Sequence, residues 1–162
     1  INAQKSTKIV EHIEYHELED TYDSSIFTAP HLPDKTPFEA TKCIQDLVFT
    51  DSNIEWKFVE DLDGASEVVV YARLPRSFQI PTPVGNYAPD WAIAFDKDKV
   101  KHVFFIAETK GADSLESMEL SIIEKNKIKC AEKLFNVVST RSVKYKQVKN
   151  FEELKNYIGL KK

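Results

Sequence analysis

The fold is decided by residues 87–110, which read YAPDWAIAFDKDKVKHVFFIAETK. Two largely apolar runs, residues 87–95 and 100–109, predict β-strands because they combine aromatic and aliphatic side chains in segments of strand length. The polar residues between them, 96–99, suit the turn of a hairpin. This part of the chain therefore predicts two adjacent antiparallel strands.

Charged residues lie at the open end of this predicted hairpin. Side chains alternate across a strand, so Glu108 and Lys110 share one face while Thr109 points to the other. Antiparallel pairing places Asp90, at the beginning of the first strand, opposite the end of the second strand and near Glu108. The sequence thus predicts that two carboxylates and a lysine converge.

A carboxylate pair of this kind favours a bound cation. Two carboxylates held within a few ångströms repel each other, and the pKa of one rises unless a cation lies between them. Mg²⁺ prefers oxygen ligands and usually takes one or two carboxylates plus a substrate phosphate. The ion can lower the pKa of a bound water, and a neighbouring lysine can orient that water or stabilise the transition state. These residue types fit phosphodiester hydrolysis; the alternative is an exposed strand end with a chance Glu-x-Lys pair.

A helix is predicted before the first strand of the sheet. Ser52 can cap it, and Glu55 can return the hydrogen bond as a capping box. One apolar face follows at four-residue spacing: Ile54, Phe58 and Leu62. Gly64 ends the helix, and residues 67–74 are rich in β-branched and aromatic residues, which predicts a strand. The prolines that follow, together with Gly85, predict a loop.

The other segments predict an α/β fold. Residues 114–135 read as the longest helix, 143–148 as a short strand and 151–158 as a final helix. Near the start of the chain, residues 8–18 alternate loosely like an edge strand, and residues 38–48 read as a short helix. This order of elements predicts a mixed β-sheet flanked by helices on both faces.

Length and composition bound the class of protein. A chain of 162 residues with 42% hydrophobic and 30% charged residues is expected to form one globular core. No apolar run has the length of a membrane span, and Cys43 and Cys130 lack metal-type spacing and suit a reducing compartment such as the cytoplasm. Ile1 in place of Met suggests a domain of a longer protein. We expect residues 1–50 to form an N-terminal extension or linker packed on a domain of residues 51–162.

Charge is distributed unevenly along the chain. Residues 1–96 hold 7 Lys or Arg against 17 Asp or Glu, and residues 97–162 hold 15 against 9. An acidic half beside a basic half is compatible with a carboxylate site next to a face that binds a polyanion. Helix surfaces that carry lysine for solubility would give the same distribution.

Four segments resemble a known family: LP at 74–75, IPTPVGNYAPDW at 80–91, ETKG at 108–111 and EKNKIKC at 124–130. They are similar to the C-terminal endonuclease domain of the restriction (Res) subunit of type III restriction enzymes, within the PD-(D/E)XK nuclease superfamily. The resemblance spans residues 51–148. It implies a restriction-endonuclease-like fold, with the motif between helices in the order of that superfamily.

This resemblance implies Mg²⁺-dependent cleavage of double-stranded DNA, with Mn²⁺ as a substitute ion. Asp90, Glu108 and the main-chain carbonyl of Thr109 would hold the metal, and Lys110 would position the attacking water. The resemblance also implies a glutamate from the preceding helix in the outer shell of the metal. Glu55 matches that position, and its other role, as part of the helix cap, stays open.

Lys127 lies on the helix that follows the motif, and in related folds this helix lines the site. It is a candidate contact for a substrate phosphate, as a point charge, or else a solvated surface residue. The implied partners are double-stranded DNA, a modification (methyltransferase) subunit and a helicase/ATPase region of the parent chain, through which ATP would act. No membrane partner is implied, and the location would be a bacterial or archaeal cytoplasm.

Two other functions stay open at this point. The first is a non-catalytic DNA-docking or assembly module that keeps a nuclease fold. The second is another PD-(D/E)XK nuclease, such as a DNA repair enzyme.

Overall fold

A computed structural model of the chain describes residues 36–96, 98, 104–109, 118–138 and 143–159. The helices in these ranges are α1 (Asn53–Gly64), α2 (Met118–Val138) and α3 (Phe151–Ile158). The strands are β1 (Phe38–Glu39), β2 (Leu47–Val48), β3 (Val68–Arg73), β4 (Trp91–Phe95), β5 (Phe104–Thr109) and β6 (Val143–Val148). In these ranges, no helix is long and apolar enough to cross a membrane.

The main sheet has four strands in the order β3-β4-β5-β6. β4 pairs antiparallel with both β3 and β5, whereas β5 and β6 are parallel. Parallel neighbours need a crossover connection, and α2 provides it because it lies between β5 and β6 in the chain. The sheet is therefore mixed, as the sequence predicts.

One face of the sheet is covered by α1 and α3. These helices bury Phe58, Val59 and Leu62 from α1, and Phe151, Leu154 and Ile158 from α3. The side chains join a single cluster with the strands, at whose centre Trp91 is fully buried. Phe58 contacts both Trp91 and Phe151, with ring centroids 5.9 and 6.4 Å apart. Burial of this apolar area is the main stabilising contribution to the domain.

The opposite face is covered by α2. Buried residues of α2 and β6 form a second cluster with the segment between β3 and β4: Ile80, Tyr87, Ile128, Ala131, Phe135 and Tyr145. The ring of Phe135 stacks on that of Tyr145 at 5.1 Å, and the hydroxyl groups of Tyr87 and Tyr145 hydrogen-bond. Helices on both faces of a mixed sheet confirm the predicted fold class.

Most predicted elements are confirmed with adjusted bounds. The strand at 143–148 and the helix at 151–158 match, and the helix predicted at 114–135 is described from Met118 to Val138. The strand predicted at 87–95 begins only at Trp91, because the proline two residues earlier has no N–H for the ladder. The edge strand predicted at 8–18 lies outside the described residues.

The helix predicted at 38–48 is wrong. These residues form the antiparallel strands β1 and β2, with Phe38 paired to Val48. The turn between them runs along the edge of β3, where the N–H of Ile44 donates to the carbonyl of Tyr71 at 2.8 Å and the N–H of Tyr71 donates to that of Lys42 at 3.0 Å. Backbone groups that a helix would pair internally are therefore paired with β3, and Val48 joins the main core.

A carboxylate on α1 fixes this turn. Asp63 accepts the N–H and the hydroxyl of Thr41 at 3.0 and 2.7 Å, the N–H of Lys42 at 2.9 Å and the hydroxyl of Tyr71 at 3.1 Å. Partial burial would raise the pKa of Asp63, but the donated hydrogen bonds outweigh it and hold that pKa below its ordinary value. Burial, with Asp63 nearby, raises the pKa of Tyr71, so the pair persists as carboxylate and phenol.

Candidate functional site

The predicted site lies at the end of the sheet where β4 begins and β5 ends. In the pairing of these strands Trp91 is opposite Ala107, and the same register continued by one residue sets Asp90 across from Glu108. The carbonyl of Asp90 accepts a hydrogen bond from the N–H of Leu74 at 2.8 Å, which ties the beginning of β4 to the end of β3. The backbone thus brings two of the predicted metal ligands to one end of the sheet.

The segment that carries Asp90 is anchored on both sides. Pro89 and Trp91 are fully buried, whereas Asp90 between them is half-buried. Burial of both neighbours restricts the backbone from which the carboxylate projects. A ligand on such a backbone is preorganised, because little conformational freedom remains to be lost when it binds.

The other predicted residues of the motif lie on or after β5. Glu108 and Thr109 are its last residues and pair in parallel with Gln147 and Val148 of β6. β5 has a neighbour on each side, but Ala107 is its last residue paired with β4, so Glu108 and Thr109 are held by the β6 ladder. Lys110 follows directly and lies outside the described residues. The catalytic and metal-binding roles of these residues stay predictions.

Glu55 lies in the first turn of α1 and takes part in its cap. Its N–H donates to Oγ of Ser52 at 3.2 Å, as the capping pattern predicts. Its carboxylate accepts the N–H of Asp51 at 2.8 Å rather than that of Ser52, so the return hydrogen bond is displaced by one residue. The capping role of Glu55 is therefore present in this modified form, and its role near a metal stays a prediction.

Arg73 is a residue of this region that the sequence reasoning missed. It is the last residue of β3 and pairs with Trp91 at the beginning of β4. Its Nη2 atom lies 2.8 Å from Oδ2 of Asp51 and 3.2 Å from Oε2 of Glu55. The arginine therefore joins the N-terminus of α1 to the end of the sheet that carries Asp90. The only signal in the sequence is a lone cation at the end of an apolar strand.

Lys127 lies on α2 and packs against the loop that precedes Asp90. Its Nζ atom is 3.2 Å from Oε1 of Glu124, one turn away on the same helix. Gly85 has a φ of 115°, and a Cβ on it would lie 3.3 Å from Cε of Lys127. With a side chain only 21% exposed, Lys127 lies along this loop rather than extending freely into solvent. The structure thus brings Lys127 to the loop before Asp90, and a contact with substrate stays a prediction.

The donor types at this end of the sheet suit a hard divalent cation. Asp90 and Glu108 supply carboxylates and Thr109 a main-chain carbonyl, a set of oxygen ligands that Mg²⁺ and Mn²⁺ accept. Within the described part of the chain, no three or more His, Cys, Asp or Glu residues are grouped so as to hold a metal. The metal site of Asp90, Glu108 and the Thr109 carbonyl stays a prediction.

The chain is similar to one protein family and to two curated proteins. A family model described as an endonuclease domain matches residues 41–151. Two Res subunits are each 40% identical to the chain over 99 residues, those of the type III restriction-modification enzymes EcoPI from Escherichia phage P1 and EcoP15I from Escherichia coli. The alignment covers 60% of this chain and 10% of each relative, so the chain matches about a tenth of their length. No solved structure matches the chain.

Proposed function

Because the chain belongs to the endonuclease-domain family, we propose that it hydrolyses phosphodiester bonds of double-stranded DNA in a Mg²⁺-dependent reaction. The observation that carries this proposal is the register of β4 on β5, which sets the position of Asp90 across from that of Glu108. A site of two carboxylates and a lysine matches the needs of this reaction.

In the proposed site each residue has one role. Asp90 and Glu108 hold the metal through their carboxylates, and the carbonyl of Thr109 is a further ligand. When bound, Mg²⁺ would lower the pKa of a water molecule that it holds and would place a positive charge beside the phosphoryl group. Lys110 orients the attacking water by donating a hydrogen bond to it. Lys127 donates to a phosphate oxygen and thereby fixes the DNA backbone over the loop before Asp90.

The proposed context is the cleavage module of a type III restriction enzyme. The matched relatives are Res subunits, and the matched region is about a tenth of their length. The chain has four glycines and no glycine-rich phosphate loop of its own. In this proposal a helicase/ATPase region of the parent chain uses ATP, and that region and a modification subunit bring the DNA to the site.

Cleavage of supercoiled plasmid DNA tests the proposed function. The chain should produce nicked or linear DNA with Mg²⁺ or Mn²⁺ and should produce neither when the metal is chelated. Asp90→Ala should lower the rate by roughly 100-fold or more, because a lost metal ligand removes several kcal/mol of transition-state stabilisation. Asp98→Ala is the matched control, since Asp98 is exposed in the connection between β4 and β5, at the other end of the hairpin.

Equal cleavage by the Asp90→Ala and Asp98→Ala variants would contradict the assignment of Asp90. Salt-dependent DNA binding that needs no metal, with no cleavage by the wild-type chain either alone or as part of the parent enzyme with its modification subunit, would contradict the nuclease proposal and favour a docking module.

A further inference from the structure

Arg73 connects the helix that carries Glu55 to the strand that begins beside Asp90. One Nη2 atom lies within 3.2 Å of carboxylate oxygens of both Asp51 and Glu55. The ζ carbon of the same guanidinium lies 5.8 Å from the centre of the Trp91 ring, within the range of a cation–π contact. A single side chain therefore contacts a proposed outer-shell residue and the residue next to a proposed metal ligand.

The backbone of Arg73 is fixed on both sides of β3. It pairs with Trp91 on β4, and on the other edge it meets the side chain of Gln45. The N–H of Arg73 donates to Oε1 of Gln45 at 3.3 Å, and its carbonyl accepts from Nε2 of Gln45 at 2.9 Å. Gln45 is itself buried. A guanidinium on so constrained a backbone can set the position of the groups that it binds.

The Glu55 carboxylate is oriented mainly by Arg73 and Asp51. Its side chain is 15% exposed, and among the described residues its partners are the N–H of Asp51 and Nη2 of Arg73. Both of these contacts fall on Oε2. Oε1, on which no described residue makes a hydrogen bond or ion pair, is the oxygen that we assign to a water molecule bound to the ion.

We propose that Arg73 is a positioning residue for the metal site. In this proposal it holds the Glu55 carboxylate at the end of the sheet that carries positions 90 and 108, and it packs on Trp91 so that the beginning of β4 keeps its place. This inference rests on the proposed function. Arg73 acts through Glu55 and Trp91 and does not itself bind the ion or the substrate.

A role of Arg73 as a counter-charge and a role as a positioning residue predict opposite changes in metal affinity when the arginine is lost. Asp51, Glu55 and Arg73 together carry one net negative charge, and removal of the guanidinium would leave two. The more negative site would attract a divalent cation more strongly if Arg73 were only a counter-charge. Loss of a positioning residue would instead weaken metal binding, so the sign of the change distinguishes the two roles.

The experiment is a titration of the chain with Mn²⁺, in which the free ion is followed by electron paramagnetic resonance. Arg73→Gln should weaken Mn²⁺ binding roughly 10-fold or more, the scale expected when an outer-shell partner is lost. Arg73→Lys should not restore binding, because the compact ammonium group lacks the planar, preorganised guanidinium that contacts both carboxylates and lies over the Trp91 ring. Lys57→Gln is the matched control, since it removes an exposed cation of α1 that pairs with Glu60.

A double substitution shows whether Arg73 acts through Glu55. The Arg73→Gln effect should be smaller in a Glu55→Gln background than in the wild type, because both changes remove the same positioned carboxylate and only the contact with Trp91 is left to lose. Equal losses in the two backgrounds would overturn the inference, and so would unchanged or tighter Mn²⁺ binding by Arg73→Gln. Unfolding by urea shows which variants are folded. If Arg73→Gln does not fold, Arg73→Lys takes its place in the test, and Mn²⁺ binding by Arg73→Lys that equals binding by the wild type overturns the inference.

The failure of this inference is distinct from the failure of the proposed function. A Mn²⁺ site that is lost in Asp90→Ala and indifferent to Arg73 would overturn only the positioning role. A wild-type chain without a Mn²⁺ site, or one whose site survives in Asp90→Ala, would overturn the metal site and the inference that rests on it.

Discussion

The substitution Gly85→Ala tests how the loop before Asp90 is held against α2. The φ of 115° at Gly85 is one that residues with a side chain rarely adopt, and holding such a residue in a sparsely populated region costs about 1–3 kcal/mol. The new Cβ would also lie 3.3 Å from Cε of Lys127. That contact is the smaller effect, because the end of a lysine side chain can shift by a few tenths of an ångström. We expect the free energy of unfolding to fall by about 1–3 kcal/mol.

Two other glycines of the chain separate these causes. Gly159 has a φ of 84° with nothing within 4 Å of a Cβ, so Gly159→Ala carries backbone strain without a contact. Gly64 has neither feature, and Gly64→Ala should change stability by less than about 1 kcal/mol. Urea unfolding at one temperature gives the three free energies. If Gly85→Ala is as stable as Gly64→Ala, the strain attributed to this loop is wrong.

The effect of Gly85→Ala on Lys127 can be measured separately, as a change in DNA affinity. Because Gly85→Ala pushes on the end of that side chain, it should weaken binding of a DNA duplex in the wild-type background. In a Lys127→Ala background the same substitution should have little further effect on binding. Fluorescence anisotropy at fixed salt measures both affinities, and equal weakening in the two backgrounds would show that the loop does not act through Lys127.

Two further predictions concern the fold that holds the site. Because the pKa of Asp63 is lower in the folded state than in the unfolded state, its carboxylate stabilises the fold at neutral pH, and this stabilisation is lost as the pH falls through the folded pKa. Asp63→Asn should therefore be less stable than the wild type at neutral pH. The urea midpoints of the two proteins should converge well below the ordinary pKa of 3.8. A difference independent of pH would contradict this role. Leu154→Ala should lower the free energy of unfolding by about 2–5 kcal/mol because Leu154 is fully buried. Tyr157, on the same helix, is 45% exposed and contacts Lys146 through its ring, so Tyr157→Ala should lower it by about 1 kcal/mol or less. Similar losses in the two variants would contradict the placement of α3.

Elements with strong local signals could be predicted from the sequence. The helix α3 begins after Asn150, whose side chain caps it, and ends at Gly159 in the left-handed conformation. The helix α1 begins after the Ser52 cap in the same way. Caps, turn residues and apolar periodicity depend on residues only a few positions apart, so the interacting residues can be identified in a short stretch of sequence.

Features that depend on distant partners could not be predicted. Residues 38–48 form strands because Asp63 and Tyr71, more than twenty residues away, pair with their turn. The contact between Arg73 and Glu55 likewise depends on how α1 lies on β3, which no local pattern specifies. The hairpin pattern predicted that positions 90 and 108 lie at the same end of the sheet. It did not predict their exact register, because a turn at 96–99 would set position 90 across from position 105, whereas the observed pairing of Trp91 with Ala107 continues to 108.

The claim that Asp90 and Glu108 hold a divalent ion is tested most directly by a Mn²⁺ titration of the wild-type chain, Asp90→Ala, Glu108→Ala and the control Asp98→Ala, with free Mn²⁺ followed by electron paramagnetic resonance. We predict a site in the wild type and in Asp98→Ala that is lost in Asp90→Ala and in Glu108→Ala. Equal Mn²⁺ binding by the wild type and Asp90→Ala would show that Asp90 is not a ligand and would contradict the proposed metal centre.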